Sequence, residues 1–261
     1  SKKFLFRFIF FIRKSNRYES FFEHYSFLVP EIERIMQNGR ICAVHCMDIP
    51  NPGQKTGSFD LPGKLIESHQ KFGFYFVGRI AIWKEPLRVA IRTRLKHLTH
   101  KQLVKDSCES SIAAGDFLLL FKKKGENKNF VSHKQGFSDY IGKREIPRKL
   151  LKYKVTERQE KNKLSHWIWR QYASCFWDDI RMDNVLPYKK AKEKEDEKHV
   201  HPLQLDVIGR CIVMWSNSGD VVFTPFMGVG SEVCGAVKHG RKGIGIELKT
   251  SGGAELVLDN I

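Results

Sequence analysis

A glycine-rich turn between two apolar stretches is the part of this sequence best suited to binding a ligand. Residues 221–223 favour a strand, Ser231 stands where a helix N-cap is expected, and Gly240 stands where that helix should end. A second apolar strand is predicted over 243–246 and leads directly to Glu247. The turn itself contains Thr224, Pro225, Phe226, Gly228 and Gly230. Strand, turn, helix and strand in this order predict a nucleotide-binding site.

The chemistry of such a site follows from its residue types. Glycines let a ligand approach the backbone, and the helix N-terminus offers unpaired N–H groups. Glu247 lies 19 residues after Gly228, where a carboxylate can accept hydrogen bonds from both hydroxyls of a ribose. A dinucleotide fingerprint needs a third glycine at the position of Val233, which disfavours a nicotinamide oxidoreductase. A cofactor without a pyrophosphate is therefore predicted, and a plain strand–turn–helix without any ligand is the alternative.

The motifs at 224–231 and 240–248 resemble the S-adenosylmethionine motif of amino-group DNA methyltransferases, which modify adenine N6 or cytosine N4. That family begins the motif with Asp, so Thr224 removes one anionic contact to the methionine ammonium group. A His-Pro-x-Gln-Leu segment resembles the start of the family's helix beside the adenosine. The resemblance implies that the cofactor is bound by Thr224, Pro225, Phe226, Gly228, Gly230, Ser231, Glu247, His201, Pro202 and Gln204.

The order of the segments resembles the circularly permuted class of this family, and the stretches 21–27 and 100–106 resemble its phage and prophage members. The resemblance implies an α/β, Rossmann-like methyltransferase fold, a three-layer αβα sandwich with a mostly parallel sheet and an inserted recognition lobe. The expected parts are an atypical N-terminal segment over 1–18, a catalytic half over 19–85, a target-recognition lobe over 86–165 and a cofactor-binding half over 166–261.

An aromatic-rich stretch at 73–84 predicts a pair of strands. In the family, a Gly-Phe start and a Trp-x-Lys end mark the strands beside the pocket for the target base. The resemblance therefore places Trp83 and Lys84 next to that pocket. Ordinary packing of aromatic side chains on a strand is the alternative interpretation.

The strongly basic composition predicts a polyanionic partner. The chain has 261 residues, with 45 Lys and Arg against 29 Asp and Glu, a formal charge of +16. Neutralising phosphates releases counterions, which favours such a partner. Charge alone does not distinguish DNA, RNA and an anionic membrane, and the family resemblance implies double-stranded DNA. The predicted DNA contacts are Arg88, Arg92, Arg94, Lys96, Lys101 and Lys105. A solvated basic face accounts for the same charges without DNA.

The cysteines and the N-terminus set further expectations. Six scattered cysteines indicate reduced, intracellular thiols and no metal site. The family resemblance implies the cytoplasm of a bacterial or phage-infected cell. Cys42, His45 and Cys46 would alternate across a predicted buried strand at 40–47, which suits a metal poorly. The apolar run at 4–12 is too short to cross a membrane, and a start at Ser1 indicates a fragment or a processed chain.

The catalytic motif of the family is missing from its expected place just before residue 19. Family members use Asp, Asn or Ser, then Pro-Pro and an aromatic residue, to hold and activate the amino group of a flipped base. The 261 residues contain no Pro-Pro pair. Truncation or a frameshift upstream, or loss of the motif, is expected.

Two functions remain open. One is an S-adenosylmethionine-dependent DNA methyltransferase, adenine-specific rather than cytosine-specific and with a homodimer as one option, and the other is an inactive DNA-binding remnant.

Overall fold

The computed structural model describes residues 18–50, 57–93, 95, 97–187 and 203–247, and these fall into two compact units that divide between Lys128 and Asn129. This division lies inside the stretch 86–165, so the residues expected to form one recognition lobe belong to both units. Each unit is described by itself below.

The N-terminal unit contains four helices and five strands within the described residues. In chain order these are α1 (Tyr18–Ile35), β1 (Ile41–Met47), β2 (Ile49–Pro50), β3 (Ser58–Phe59), α2 (Leu61–Lys71), β4 (Phe74–Ile82), α3 (Pro86–Thr93), α4 (His100–Lys105) and β5 (Asp116–Lys123). The sequence pattern at 40–47 predicted β1 close to these bounds, because this stretch is a continuous apolar run.

The sheet of this unit differs from the expectation of mostly parallel strands. β5 lies between β1 and β4 and pairs antiparallel with both of them. The expected strand pair at 73–84 is one nine-residue strand with an irregularity between Phe76 and Gly78. Within β1, which was expected to be buried, only Cys46 is fully buried. These errors share a cause, since strand direction and strand neighbours depend on contacts that are distant in sequence.

Helices α1 and α2 pack against the strands in a hydrophobic cluster of the N-terminal unit. α1 continues as one helix through Pro30. Proline removes one backbone hydrogen bond from a helix interior. The burial of Phe21, Tyr25, Val29 and Ile32 on one face offsets that cost.

The C-terminal unit contains the glycine-rich turn. Its helices and strands are α5 (Lys163–Tyr172), β6 (Phe176–Trp177), α6 (Leu205–Trp215), β7 (Val221–Thr224), α7 (Ser231–Lys238) and β8 (Lys242–Gly245). β7 and β8 pair in parallel, as expected for strands joined by a helix. A Cβ atom at Gly243 would lie 2.8 Å from Val233 Cα, so glycine lets β8 pass close to α7.

A buried arginine connects α6 to the segment before it. Arg210 donates to the Ile141 carbonyl at 2.8 Å and to Asp179 Oδ2 at 2.7 Å, and Tyr140 donates to the same carboxylate. The guanidinium also lies 4.9 Å from the ring centroid of Trp177. Of the aromatic residues in this part of the chain, Tyr172 and Trp177 are buried, whereas Trp169 and Phe176 are exposed.

The buried His69 gives the N-terminal unit a testable acid sensitivity. Its Nδ1 lies 2.8 Å from the Leu65 carbonyl oxygen, and its ring stacks on Phe121 at 4.0 Å. Burial lowers the pKa of His69 from 6.5 to about 4. Below pH 6.5 the unfolded chain therefore binds a proton that the folded chain excludes, and stability falls with pH until about pH 4.

We expect this group alone to remove about 2 kcal/mol from the free energy of unfolding between pH 7 and pH 5. Urea unfolding at both pH values measures the loss, and His69→Phe should lack this part of the pH dependence. The exposed His24 provides a matched control, because His24→Phe should keep it. An identical pH dependence in His69→Phe and the unmodified chain would contradict the assignment.

Candidate active site

The turn between β7 and α7 has the backbone geometry that its glycines suggested. Gly228 has φ 54° and Gly230 has φ 84°, both in the left-handed region that favours glycine. A Cβ atom at Gly228 would meet no heavy atom of the described residues within 4 Å, so these residues leave the backbone open on that side. Gly240 follows the helix with φ 73°, as expected for a residue just past a C-cap.

Glu247 lies against this turn through a direct hydrogen bond. The Gly228 N–H donates to Glu247 Oε2 at 2.8 Å. Two backbone hydrogen bonds hold the strand end in place, from Met227 N to the Ile246 carbonyl and from Ile246 N to the Thr224 carbonyl, each 3.0 Å long. The tertiary structure therefore brings the carboxylate beside the glycines, at the carboxyl ends of two parallel strands.

Thr224, Pro225 and Phe226 form the first half of the turn. Thr224 is buried, and its Oγ1 accepts a hydrogen bond of 3.3 Å from the Phe226 N–H. The hydroxyl thus stabilises the turn at the position where the family carries a carboxylate. The Phe226 side chain is 38% exposed, which leaves much of its ring accessible.

Ser231 occupies a different helix position from the one expected. Gly230 is the N-cap of α7, and Ser231 is the first helical residue, because the left-handed backbone needed before the helix favours glycine. The Ser231 side chain is buried, and its Oγ has no hydrogen-bond partner in the described residues. The first N–H groups of a helix also lack acceptors within it. The start of α7 therefore presents donors beside the turn.

Glu232 adds a carboxyl group that sequence reasoning missed. It lies in the first turn of α7, and burial raises its pKa to about 7. Its position directly after the glycine motif was the available signal. A carboxyl with such a pKa is partly neutral near pH 7, which reduces negative charge close to the turn.

Only one of the three residues expected beside the adenosine can be placed. Gln204 is the N-cap of α6, and that helix contacts α7 where Gly235 lies close to Ile208. His201 and Pro202 lie outside the described residues. The segment expected to hold the catalytic motif, before residue 18, also lies outside them.

Trp83 and Lys84, expected beside the base pocket, directly follow β4. Trp83 is 40% exposed, whereas Lys84 is buried and its Nζ lies 3.0 Å from Asp116 Oδ2. His45 Nε2 and Arg92 Nη2 contact the same carboxylate at 3.1 and 3.4 Å. Burial alone would raise the pKa of Asp116, but the hydrogen bond with His45 and the nearby charges of His45, Lys84 and Arg92 hold it well below its usual value. Burial lowers the pKa of Lys84, and the charge of Asp116 opposes this shift.

The expected DNA contacts lie on α3, on α4 and between them. Arg88, Lys101 and Lys105 are exposed, Arg92 is partly buried, and Arg94 and Lys96 fall outside the described residues. The same helices expose the apolar side chains of Leu87 and Ile91. An apolar hollow of about 290 Å³ lies between Leu87, Leu98 and Leu103.

Metal and membrane features were sought in the described parts of the chain. No group of three or more His, Cys, Asp or Glu side chains there could hold a metal ion. None of the helices placed by the structure is both long and apolar enough to cross a membrane. All six cysteines are described, and no disulfide joins them.

Comparisons with solved structures show the class of fold. TTHA0409 of Thermus thermophilus, crystallised with S-adenosyl-L-methionine, superposes with a TM-score of 0.57 and 20% identity over 93% of this chain and 76% of that one. PvuII DNA methyltransferase, which is cytosine-N4-specific, superposes with a TM-score of 0.60 and 13% identity over 93% of this chain and 71% of the other. The fold is therefore the Rossmann-like α/β fold of S-adenosylmethionine-dependent methyltransferases.

Sequence comparison then assigns the family. Residues 8–251 match the profile described as DNA methylase, for N6- and N4-directed enzymes, and the chain belongs to this family. The type II methyltransferase M.MthZI of Methanothermobacter thermautotrophicus is 28% identical over 119 residues. That alignment covers 46% of this chain and 32% of the relative, so this chain matches about a third of the relative's length.

Proposed function

We propose that this protein transfers the methyl group of S-adenosylmethionine to an exocyclic amino group in double-stranded DNA, with adenine N6 as the target rather than cytosine N4. The observation that carries the proposal is the Glu247 carboxylate held 2.8 Å from the Gly228 N–H, at the end of a parallel strand pair. Membership in the DNA methylase family supports the reaction class.

The residues around the turn fit the proposed cofactor. The described residues leave the backbone open at Gly228, so an adenosine can approach it there. Glu247 can accept hydrogen bonds from ribose hydroxyls, and the buried Ser231 Oγ, which has no partner among the residues placed by the structure, supplies a polar group beside them. Phe226 offers an exposed ring face, while Thr224 supports the turn in place of an acid. When bound, the cofactor supplies an electrophilic methyl group.

The chain's own residues would position the reactants rather than react covalently. Direct displacement at a methyl group needs the amine to be held in line and close, which is a matter of orientation. Trp83, at the end of β4 and partly exposed, is proposed to lie beside the flipped base. Basic residues on α3 and α4, including Arg88, Lys101 and Lys105, are proposed to contact the DNA backbone.

An inactive DNA-binding remnant is the second candidate function. It is favoured by one observation, the lack of a Pro-Pro pair in the 261 residues, alongside a net charge of +16. Such a protein would bind DNA with strong salt dependence but transfer no methyl groups. A homodimer, a restriction partner and action in the cytoplasm of a bacterial or phage-infected cell remain predictions under either function.

Methyl transfer to unmethylated DNA tests the proposal directly. The chain is incubated with DNA and S-adenosylmethionine labelled in its methyl group, and the DNA is then digested to nucleosides and analysed by mass spectrometry. We expect labelled N6-methyladenine, and labelled N4-methylcytosine would correct the base while keeping the reaction. DNA binding without any labelled nucleoside would overturn the proposal in favour of the inactive remnant.

A further inference from the structure

Asp116 is a buried carboxylate that gathers basic side chains at one edge of the N-terminal sheet. It is the first residue of β5 and lies opposite Met47 of β1 and Ile82 of β4 in the strand register. Since β5 runs antiparallel to both neighbours, Asp116 marks the carboxyl ends of β1 and β4. In open α/β sheets, ligands bind outside the carboxyl ends of strands.

The contacts of Asp116 leave part of this cluster directed outward. Arg92 uses only Nη2, which lies 3.4 Å from Asp116 Oδ1 and 3.6 Å from Met47 Sδ. In the residues that the structure places, its Nε and Nη1 have no acceptor, and its side chain is 30% exposed. The His45 side chain is similarly exposed at 29%, whereas Lys84 and Asp116 are almost fully enclosed. The buried Asp116 and Lys84 thus lie behind two partly exposed side chains, Arg92 and His45. Both of these can donate hydrogen bonds to a ligand.

We propose that Asp116 is a positioning residue that holds Arg92 and His45 in place to bind one phosphate of the DNA backbone, with Lys84 buried behind them. This inference rests on the proposed function only in taking DNA as the partner. It adds Asp116, which the sequence patterns did not single out, and it gives His45 a role in DNA binding rather than in metal binding.

The chemistry of the exposed groups favours a phosphate. A guanidinium fixed through one nitrogen keeps the remaining N–H groups of its planar fork, which match two oxygens of a phosphodiester. His45 can add a donor beside this fork. The carboxylate of Asp116 is 2% exposed, so it faces the basic groups rather than an incoming anion. The exposed Arg88 on the same helix extends the basic surface.

The variant Asp116→Asn distinguishes a positioning role of Asp116 from an effect of net charge on DNA binding. Removing an acid from a DNA-binding protein should tighten DNA binding, because the net charge becomes more positive. A positioning role predicts the opposite, about tenfold weaker binding, since the fork of Arg92 is no longer fixed and one charge-assisted contact is lost. Fluorescence anisotropy with a short labelled duplex of mixed sequence, without cofactor and over a range of salt, measures the affinity. Equal or tighter binding would overturn the inference.

If Asp116→Asn does not fold, Arg92→Gln provides a second test of the same site. Arg92 is partly exposed, so its substitution disturbs folding less than that of the buried Asp116. For loss of one phosphate contact, the slope of log affinity against log salt should become shallower by about 0.9. Arg92→Lys should restore the slope but only part of the affinity, since the ammonium keeps the charge without the fork. Circular dichroism melting checks that each variant is folded.

Arg34→Gln is the matched control, because Arg34 also pairs with one acid, Glu31 at 2.7 Å, but lies on α1. Its salt slope should stay unchanged. A slope that is unchanged in Arg92→Gln, or equally reduced in Arg34→Gln, would contradict the phosphate site. The methyl-transfer assay is read separately, so an inactive chain whose slope depends on Arg92 would refute the proposed reaction and keep this site.

Discussion

Replacement of Glu247 by Ala is expected to weaken the binding of S-adenosylmethionine at least about a hundredfold. A carboxylate that accepts hydrogen bonds from both ribose hydroxyls contributes charge-assisted bonds, and their loss costs about 3 kcal/mol. The same substitution removes the acceptor of the Gly228 N–H, so the turn also loses a bond that orders it. Isothermal titration calorimetry of the full chain with the cofactor measures the effect.

Two variants make the result specific. Glu247→Gln keeps the size of the side chain and one acceptor oxygen, and we expect an intermediate loss of about tenfold. Glu160→Ala removes an exposed acid of the same unit and should leave cofactor affinity unchanged. If Glu247→Ala is folded by circular dichroism and binds the cofactor as tightly as the unmodified chain, the assigned ribose contact is wrong.

Replacement of Arg210 by Met is expected to cause the largest loss of stability, about 3 kcal/mol, because it leaves the buried Asp179 with only the more distant Arg144, at 3.7 Å, as a cationic partner. The Arg210 guanidinium is fully buried and also bonds the Ile141 carbonyl. Methionine fills a similar volume, so the loss reports the ion pair rather than a cavity. Urea unfolding, followed by circular dichroism, measures the change.

The double variant Arg210→Met with Asp179→Asn tests this explanation. Removing the charge from both partners should recover a large part of the lost stability, since Tyr140 can still donate to the amide oxygen. Arg181→Met is the comparison, because Arg181 pairs with Asp206 but is 47% exposed. In Arg181→Met, Asp206 still accepts hydrogen bonds from the backbone N–H of residue 181 and from the Asn184 side chain. We therefore expect the free energy of unfolding to fall by only about 1–2 kcal/mol. A double variant less stable than Arg210→Met alone would contradict the poorly compensated charge of Asp179 as the cause.

The Glu247 and Arg210 predictions test two separate requirements of the proposed function in the C-terminal unit. These are contact with the cofactor and a stable helix behind the contact surface. Glu247 belongs to the surface that would contact the cofactor, whereas Arg210 stabilises the helix behind it. α6 carries Arg210 and packs on α7 at Gly235, where an added Cβ would lie 2.8 Å from Ile208 Cγ2. Loss of Arg210 should therefore lower cofactor affinity only through unfolding, and at low temperature the folded variant should bind normally.

The sequence by itself determined the features that depend on neighbouring residues. The apolar runs of β7 and β8, the glycines at 228 and 230, and the helix end before Gly240 all follow from local backbone preferences. Their spacing was enough to place Glu247 at the end of the second strand. The family was likewise readable from these motifs, and the match over 8–251 confirms it.

Only the tertiary structure decided which distant charges meet. Asp116 and His45 are 71 residues apart, and nothing local to either residue indicates a shared ion cluster with Arg92 and Lys84. The same holds for Arg210 and Asp179, which are 31 residues apart. The antiparallel pairing of β5 with β1 and β4 was also hidden, because an apolar run reveals a strand but not its direction. Long-range contacts of this kind are set by the packing of the whole unit, and a local pattern carries no record of them.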